Sequence, residues 1–473
     1  MKIKSSLILL LLAASGAFAQ APNCDCAAEF RFMKQKVEAN YAGFNDKIRI
    51  KTRKSYDSLS NHLLKLAPSA TKPTYCLFLL KQYTDFFNDG HLRIERLPNE
   101  NDRPFEALVR EARKEPELVP LSQKKMTFLK ISESPEGIYW SPDNKMRIAV
   151  TENVNAFRNY VGQVLVSNST SWRKGDILME LKYDSAHQTL SGFQYTEIGL
   201  IEPVQLSFTG HYLGNWRREY AQPEVGKGGT EKMMLPGTSG KKLSDKTYYL
   251  RIASFEPGET GVIDSVMQAG KAAMAACPYL ILDVRGNGGG SDQTYAPVSP
   301  LLYTDSLRVT GADVWATTDN IKSWSDLLNT RLPEETKKQI KALVDTMNNN
   351  KGKMTTLVKD HWKKVTVAGQ APKKVVVLMD GGCASTTEEF LLEALQSKKT
   401  TLMGTPSAGV LDYANVRSIK FKSIPFVMAY PTSRSKRIDK GQGIDNKGIM
   451  PAVVLTESQD WITAAQQKLE SGL

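Results

Sequence analysis

The stretch Val375-Val-Val-Leu-Met-Asp-Gly-Gly-Cys-Ala-Ser-Thr-Thr-Glu-Glu-Phe390 decides the fold, because it contains a strand, a tight turn and the start of a helix. The branched apolar run Val375–Leu378 is typical of a buried strand, and the glycines that follow indicate a turn. Ser385 stands where this turn becomes the helix. Its hydroxyl is therefore close to the free N–H groups of the helix start, which can stabilise an oxyanion. An ordinary N-cap serine is the alternative interpretation.

A second strand and turn precede this stretch. Tyr279–Val284 has the composition of a buried strand and continues into Arg285-Gly-Asn-Gly-Gly-Gly-Ser291. Consecutive glycines let the backbone approach a ligand and adopt positive φ. A phosphate-binding loop is the alternative, but no Lys-Ser/Thr pair follows the glycines as in a P-loop. A dinucleotide-binding fingerprint also fits poorly, because no clear helix begins directly after the glycines.

Together, these segments resemble the tricorn and C-terminal-processing family of serine peptidases. The family pattern L-x-L-D-x-R-x-N-x-G-G corresponds to Leu280–Gly290, and the pattern V-V-V-L-x-x-G-x-A-S-A-[ST]-E-x-F corresponds to Val375–Phe390. Tyr248–Phe255 matches the strand that precedes the first pattern. The resemblance covers the C-terminal half of the chain and rests on two long motifs in the right order.

The resemblance implies the roles of several residues. It assigns the nucleophile to Ser385 and the oxyanion hole to the backbone N–H of Thr386 together with a glycine of the 288–290 loop, Gly288 or Gly289. Cys383 stands where the family has a small packing residue, so we do not expect it to be the nucleophile.

The family has two catalytic branches, and they differ in the general base. The processing-peptidase branch carries a lysine in a segment that corresponds to Gly404–Leu411, where this chain has Val410. The tricorn-like branch takes a histidine from a D-G-H turn far upstream, and this chain has Asp89-Gly-His91. The resemblance therefore implies His91 as the base and a Ser-His branch.

The residues around His91 support this choice on physical grounds. Apolar residues at helical spacing predict an amphipathic helix over 74–88, and Asn88-Asp-Gly90 ends it. The alternation of Leu92 and Ile94 then predicts a short strand. Of the five histidines, His91 alone both follows a glycine turn and matches a family motif; the others are His62, His187, His211 and His361.

The third catalytic partner is expected to be a carboxylate that orients the imidazole. The tricorn-like branch carries an acid before a G-[IV]-x-P-D tail, which corresponds to Ile444–Pro451 and implies Asp445. Ala452 departs from the usual aspartate of that tail, and an ordinary Asx turn is the alternative for this segment. Glu388 and Glu389 instead suit the first turn of a helix, where the dipole favours carboxylates.

The N-terminus predicts export. Lys2 and Lys4 precede the apolar run Leu7–Leu12, and Ala17-Phe-Ala19 is a small-x-small cleavage site. Residues 1–19 are therefore a predicted signal peptide, which places the mature protein in the periplasm or outside the cell. No other run approaches the roughly 20 apolar residues of a membrane span, so we expect no stable membrane insertion.

Export permits disulfides. Cys24 and Cys26 lie near the mature N-terminus, and Cys76 lies on the helix that leads to His91. A bridge from Cys76 to Cys24 or Cys26 is predicted, and the sequence leaves open which of the two takes part. Cys277 is expected to be a buried thiol. No Cys/His spacing suits a zinc site, and we expect neither a metal nor another cofactor.

The composition is that of a globular enzyme. The 473 residues are 41% hydrophobic and 24% charged, and the net charge of +12 comes from basic residues that are scattered along the chain. Scattered charge without a recognisable binding motif argues against a nucleic-acid partner. The expected partner is a peptide or protein substrate.

The chain divides into four predicted segments. Residues 1–19 are the signal peptide, 20–100 form a helical N-terminal domain that carries the catalytic histidine, and 101–245 form a β-rich domain. For this β-rich domain two interpretations stay open, a PDZ-like domain and a small β-barrel or sandwich. Residues 246–473 form an α/β serine peptidase core, which the resemblance implies is a crotonase-like spiral of ββα units. A helical insertion over 315–364 is either a lid or a structural helix pair.

The sequence therefore predicts an exported serine-type peptidase with a Ser-His-acid site and a backbone oxyanion hole. Two alternatives stay open. One is a catalytically inactive relative that binds peptides or small hydrophobic ligands in the same cleft. The other is a Ser-Lys peptidase that uses Lys420 or Lys422.

Overall fold

The computed structural model describes most of the chain, namely residues 24–96, 122–131, 134–184, 188–197, 201–219, 237–367, 372–456 and 459–471. The predicted signal peptide lies outside these ranges. Within them, no helix is long and apolar enough to cross a membrane.

The helices cluster near the N-terminus and again in the second half of the chain. Their bounds are α1 (Cys26–Asn40), α2 (Phe44–Lys47), α3 (Ile50–Leu66), α4 (Pro73–Asp85), α5 (Gln123–Ile131), α6 (Thr260–Ala276), α7 (Asp292–Tyr295), α8 (Thr318–Asp326), α9 (Glu334–Asn349), α10 (Thr386–Ala394) and α11 (Trp461–Glu470). The helix predicted over 74–88 is α4, and Pro73 suits its first turn because proline has no N–H to leave unpaired.

The strands begin after α4. Their bounds are β1 (Arg93–Arg96), β2 (Gly137–Trp140), β3 (Met146–Glu152), β4 (Tyr160–Ser167), β5 (Ile177–Asp184), β6 (Thr189–Tyr195), β7 (Ile201–Ser207), β8 (Tyr212–Leu213), β9 (Trp216–Arg218), β10 (Ser239–Lys242), β11 (Thr247–Arg251), β12 (Tyr279–Asp283), β13 (Leu307–Val309), β14 (Ala312–Trp315), β15 (Met354–Val358), β16 (His361–Lys363), β17 (Lys374–Met379), β18 (Thr400–Gly404), β19 (Tyr413–Lys420), β20 (Phe426–Ser435) and β21 (Val453–Val454).

A six-stranded sheet carries both segments that decide the fold. Its order is β10-β11-β12-β17-β18-β21, and all neighbours run parallel except the pair β10 and β11. Leu280 of β12 lies opposite Val375 of β17. Because parallel strands end at the same edge, the glycine loop after β12 and the turn after β17 lie side by side. The central strands β12 and β17 are mostly apolar and buried, as is usual where a parallel sheet is covered on both faces.

The middle of the chain is an antiparallel meander. Its eight strands have the order β7-β6-β5-β4-β3-β2-β9-β8, so nearly every strand pairs with its neighbour in sequence. The structure is thus a mixed α/β fold with a helical N-terminal region and a β-rich body. One apolar core joins these parts, since it contains Phe30 of α1, Leu80 of α4, Val164 of β4 and Met428 of β20.

A five-stranded sheet joins the N-terminal region to the second half of the chain. Its order is β1-β20-β14-β15, and β19 is the fifth strand, which pairs with β20. Ile94 of β1 lies opposite Met428 of β20. His91 is two residues before β1, so this pairing carries it across more than 300 positions of sequence to the region that contains β19 and β20.

The N-terminal helices are fastened to each other and to the helical insertion. A disulfide joins Cys26 of α1 to Cys76 of α4, which confirms the predicted bridge and selects Cys26. Cys24, Cys277 and Cys383 are free thiols. On the insertion, Trp315 donates a hydrogen bond to the Ala39 carbonyl at 2.7 Å, so this end of the insertion docks on α1.

The Cys26–Cys76 bridge provides a first test. Replacing both cysteines with alanine is expected to lower the free energy of unfolding by about 2–4 kcal/mol, because the bridge restricts the unfolded chain across 50 positions. Denaturant unfolding measures this difference. Cys24→Ala is the matched control, and it should leave stability unchanged. Equal stability of the double variant and the control would contradict the assignment.

Candidate active site

Ser385 occupies a strained position at the turn between β17 and α10. Its backbone has φ 55° and ψ −121°, a conformation that residues with a Cβ rarely adopt. Such strain persists only where the surrounding structure fixes it, and it concentrates at functional sites. The side chain is half-buried and directly precedes the first residue of α10. The serine hydroxyl is thus held at the start of a helix, as the sequence predicts.

Two backbone donors are available beside Ser385. Among the described residues, the N–H groups of Thr386 and Gly288 have no hydrogen-bond acceptor in the protein. The N–H of Gly289 differs, because it donates to Asn287 Oδ1 at 3.0 Å. This corrects the expectation that Gly289 serves as an oxyanion donor. Gly289 supplies space instead, since a Cβ there would lie 2.7 Å from the Ala384 carbonyl oxygen.

Asn287 locks the glycine loop against the nucleophile turn. Its side chain is fully buried, and Oδ1 accepts hydrogen bonds from Gly289 N–H and from the Thr387 hydroxyl at 2.8 Å. Its carbonyl accepts from Ala384 N–H at 3.2 Å. The side-chain hydroxyl of Thr386 adds a bond to the Gly290 carbonyl at 3.0 Å. These bonds fix the Thr386 and Gly288 N–H groups relative to the serine.

His91 meets Ser385 although 294 positions separate them. The imidazole Nε2 lies 3.1 Å from Ser385 Oγ, which is hydrogen-bond distance. His91 Nδ1 lies 2.6 Å from the Tyr413 carbonyl oxygen. A carbonyl can only accept a hydrogen bond, so Nδ1 carries the proton and Nε2 of the neutral ring is the acceptor. The imidazole therefore has the tautomer that can accept the serine proton.

The surroundings of His91 keep the imidazole neutral. Only 8% of the residue is exposed, and this burial lowers its pKa below the ordinary 6.5. The nearby Asp89 carboxylate and the Tyr413 carbonyl act in the opposite direction, because both favour the imidazolium. The ring is therefore ready to act as a base and has groups that stabilise its protonated form.

Asp445 does not hold the imidazole, which corrects the expectation drawn from the sequence. Its carboxylate accepts hydrogen bonds from Leu411 N–H at 3.1 Å and Asp412 N–H at 2.8 Å. Burial and, to a smaller extent, the charge of Asp89 raise the pKa of Asp445 to about 7. The bond to His91 Nδ1 comes from Tyr413 instead, and Asp445 shapes the loop that presents this carbonyl.

Asp89 is a buried carboxylate that the sequence analysis did not select. Oδ1 accepts the His91 backbone N–H at 2.9 Å, and Oδ2 accepts the Tyr41 hydroxyl at 2.6 Å. The first bond is an Asx turn that sets the direction in which the chain leaves Gly90. In the sequence, the feature that could have predicted this role is an aspartate two positions before the histidine.

Glu388 is a second carboxylate, and it makes contacts that the sequence does not predict. It lies in the first turn of α10 as expected, but it is fully buried. Oε1 accepts from the Ser407 hydroxyl at 2.5 Å and from Gly409 N–H at 2.7 Å. Oε2 accepts from Val410 N–H at 2.8 Å and from Ser385 N–H at 3.3 Å. Glu388 thus ties the 407–410 loop to the nucleophile turn.

The position that would carry a lysine base packs against the histidine turn. A Cβ on Gly90 would lie 2.5 Å from Val410 Cγ1, so Val410 fills the space beside the turn. Lys420 is exposed and lies seven residues along β19 from Tyr413, or about 23 Å. Lys422 is also exposed, with Nζ 5.8 Å from the centre of the Phe32 ring. Neither lysine reaches Ser385.

Cys383 is close to Ser385 in sequence but points into the protein. It is fully buried, and its thiol donates to the Val284 carbonyl with Sγ at 3.1 Å from the oxygen. Burial raises the pKa of this thiol well above its usual range. Cys383 is therefore a protonated packing residue, as predicted.

The serine and histidine line a cleft of about 1320 Å³. Residues of the glycine loop, the start of α10, β19, β13 and β16 line this cleft. A groove of this size accommodates an extended peptide. Within the described part of the chain, no group of His, Cys, Asp and Glu residues is arranged to hold a metal ion.

Comparison with known proteins agrees with this geometry. Residues 246–455 match the sequence profile of Peptidase family S41. Mature CPAF has the same overall fold, with a TM-score of 0.50 and 12% identity over 91% of this chain and 92% of CPAF. The photosystem II D1 C-terminal processing protease has a TM-score of 0.39 and 13% identity over 91% of this chain and 93% of its own.

The tricorn protease has a TM-score of 0.41 and 11% identity over 95% of this chain and 36% of its own length. No curated protein sequence matches the chain significantly. The profile match contains Ser385, the glycine loop and the Tyr413 carbonyl that holds His91. Over residues 246–455 the chain therefore matches Peptidase family S41, and the protein is a serine peptidase.

Proposed function

We propose that this protein hydrolyses peptide bonds with Ser385 as the nucleophile and His91 as the general base. The observation that carries this proposal is the pair of contacts made by His91, with Nε2 at 3.1 Å from Ser385 Oγ and Nδ1 at 2.6 Å from the Tyr413 oxygen. Together they give a neutral imidazole in hydrogen-bond contact with a serine hydroxyl, which is the requirement for general-base activation.

The reaction proceeds in two halves. Ser385 Oγ attacks the peptide carbonyl carbon while His91 Nε2 takes the hydroxyl proton. The carbonyl oxygen becomes an oxyanion that accepts from the N–H groups of Thr386 and Gly288. The imidazolium then gives its proton to the leaving amine as the C–N bond breaks, which leaves an acyl ester on Ser385. Water repeats the sequence through His91, releasing the acid and restoring the serine.

The carboxylates behind His91 act without touching the substrate. The Tyr413 carbonyl holds the ring, and the negative charge of Asp89 favours the imidazolium that forms during the reaction. Asp445 contributes by holding the 411–412 backbone next to that carbonyl. We therefore propose a Ser-His pair with a backbone orienter, in which Asp445 is a positioning residue.

The two alternatives have less support. A catalytically inactive relative would not need the contact between His91 and Ser385 or the open N–H groups beside it. A Ser-Lys peptidase would need a lysine near Ser385, and Val410 fills that space. The parallel pairing of β11, β12, β17 and β18 supports a crotonase-like core, which we propose for the peptidase region.

We also propose that the protein is exported. The Cys26–Cys76 bridge supports this proposal, because stable disulfides belong to oxidising compartments. N-terminal sequencing of protein from its native host should begin at Gln20, directly after the predicted cleavage site. A mature chain that begins at Met1 and remains in the cytoplasm would contradict export.

Ser385→Ala should abolish peptide hydrolysis while the thermal melting temperature stays close to that of the unaltered protein. Loss of a catalytic serine costs ~10⁴-fold or more in rate, because no other group can form the acyl ester. Steady-state hydrolysis of a fluorogenic peptide measures the effect. Cys383→Ala is the control two positions away, and it should retain activity. The reverse pattern would assign the nucleophile to Cys383.

The pH profile tests the base. Activity should rise with pH as His91 loses its proton, and the inflection in kcat/KM should lie below 6.5 because burial lowers the pKa of this imidazole. Asp89→Asn should move the inflection lower still, since it removes the charge that favours the imidazolium. An inflection above 8 would indicate a lysine base.

Substitution of the base candidates makes the same test without titration. His91→Ala should reduce kcat about 10³-fold or more, because the serine then has no group to take its proton. Lys420→Ala and Lys422→Ala are matched controls and should keep most activity. Loss of activity in a lysine variant, with His91→Ala unaffected, would move the protein to the Ser-Lys branch.

A further inference from the structure

Arg417 is a cation in the active-site cleft that has no acidic partner among the described residues. It lies on β19 and lines the cleft together with Ser385 and His91. Nη1 donates to the Val416 carbonyl at 2.9 Å, while the buried Nε–H has no acceptor among the described residues. No carboxylate in the described part of the chain lies within ion-pair distance of this guanidinium.

The protein holds this guanidinium in place by stacking. Arg417 Cζ lies 4.5 Å from the centre of the Trp324 ring, a cation–π contact that fixes the plane of the group. Burial also lowers the pKa of Arg417, so its surroundings oppose the charge that it carries. An oriented, partly desolvated guanidinium without a counter-charge is suited to bind an anion, and its planar donors match a carboxylate.

Other arginines of the cleft lack this character. Arg437 is paired with Glu389, with Nη1 3.0 Å from the carboxylate oxygen. Arg93 forms an ion pair with Glu95. Arg308 also lines the cleft but is exposed. Among these arginines of the cleft, Arg417 alone combines burial, stacking and the lack of an acidic partner.

The position of Arg417 along β19 sets its distance from Tyr413, whose carbonyl holds the catalytic histidine. The strand begins at Tyr413, whose carbonyl holds His91, and Arg417 follows four residues later, about 13 Å away in an extended strand. Among the described strands β19 pairs with β20 alone, so within that part of the chain its other edge is free for a peptide that lies along it. An extended peptide covers the same distance with about four residues.

We propose that Arg417 binds a carboxylate of the substrate peptide, about four residues from the bond that Ser385 cleaves. The carboxylate is either the C-terminal group of the substrate or an Asp or Glu side chain at that spacing. This inference rests on the proposed peptidase function and adds a specificity determinant to it.

Three matched peptides distinguish the sources of the carboxylate. The first has an uncharged sequence with a free C-terminal acid, the second is its C-terminal amide, and the third is the amide with one internal Glu. We expect KM for the first to be about tenfold lower than for the second, from a charge-assisted hydrogen bond. Mass spectrometry should locate cleavage about four residues from the acid. A low KM for the third would identify a side chain as a source.

Arg417→Gln should abolish the difference between acid and amide peptides. Arg417→Lys keeps a charge but loses the planar donors, so it should retain part of the preference for the acid peptide. This variant replaces Arg417→Gln in the test if the glutamine variant does not fold. Arg308→Gln is the control, because it removes another cleft cation and should leave the preference intact. A protein that prefers neither the acid nor the Glu-containing peptide over the plain amide, or an Arg417→Gln variant that keeps the full preference, would overturn the proposal.

Measurements of peptide binding distinguish a failure of this proposal from a failure of the proposed peptidase function. Fluorescence anisotropy with labelled versions of the three peptides measures affinity in Ser385→Ala, which cannot turn the peptides over. We expect tighter binding of the acid and loss of that preference when Arg417→Gln is added. If these binding results hold but the unaltered protein hydrolyses none of the peptides, the proposed function fails while the carboxylate site stands. Equal binding of the acid, the plain amide and the Glu-containing amide overturns the site whatever the activity.

Discussion

The hydrogen bond from His91 Nδ1 to the Tyr413 carbonyl is the constraint on which the site depends. It joins the first hundred residues of the chain to the second half, and it determines which nitrogen of the imidazole is free. A side-chain carboxylate could accept the same bond, but it would bring a negative charge. A carbonyl at the start of β19 fixes the tautomer with a neutral group and leaves charge stabilisation to the nearby Asp89.

Buried polar groups hold this arrangement at each of its loops. Asp89 fixes the histidine turn, Asn287 fixes the glycine loop, and Glu388 fixes the 407–410 segment to the nucleophile turn. A buried carboxylate or amide is costly unless its hydrogen bonds are satisfied, so each of these groups favours one loop conformation over others. The strained backbone of Ser385 is stable because these contacts surround it.

Several parts of this site follow from local sequence. The strand, turn and helix around Ser385, the helix before His91 and the bridge at Cys76 are visible because apolar periodicity and turn residues act over short distances. The partner of His91 Nδ1 cannot be predicted from local sequence. A backbone carbonyl has no side-chain signature, so the sequence offered Asp445, the acid in the matching motif, in place of Tyr413.

The remaining differences have a similar cause. Glu388 has the local signature of a first-turn acid, and that signature conceals the loop contacts that only the folded chain supplies. Gly289 belongs to the glycine motif, but its N–H is taken by the side chain of Asn287. Arg417 carries no motif, and its lack of a counter-charge emerges only when β19 is placed beside the cleft. Local preference therefore identifies the elements, and tertiary contacts assign the roles.

Labelling with a fluorophosphonate tests the central claim most directly, because this probe reacts with a serine only when a base activates it. Peptide mapping of the labelled protein should find the adduct on Ser385, and His91→Ala should lose the label while remaining folded. An adduct on another residue, or undiminished labelling of Ser385 in His91→Ala, would contradict activation of this serine by this histidine.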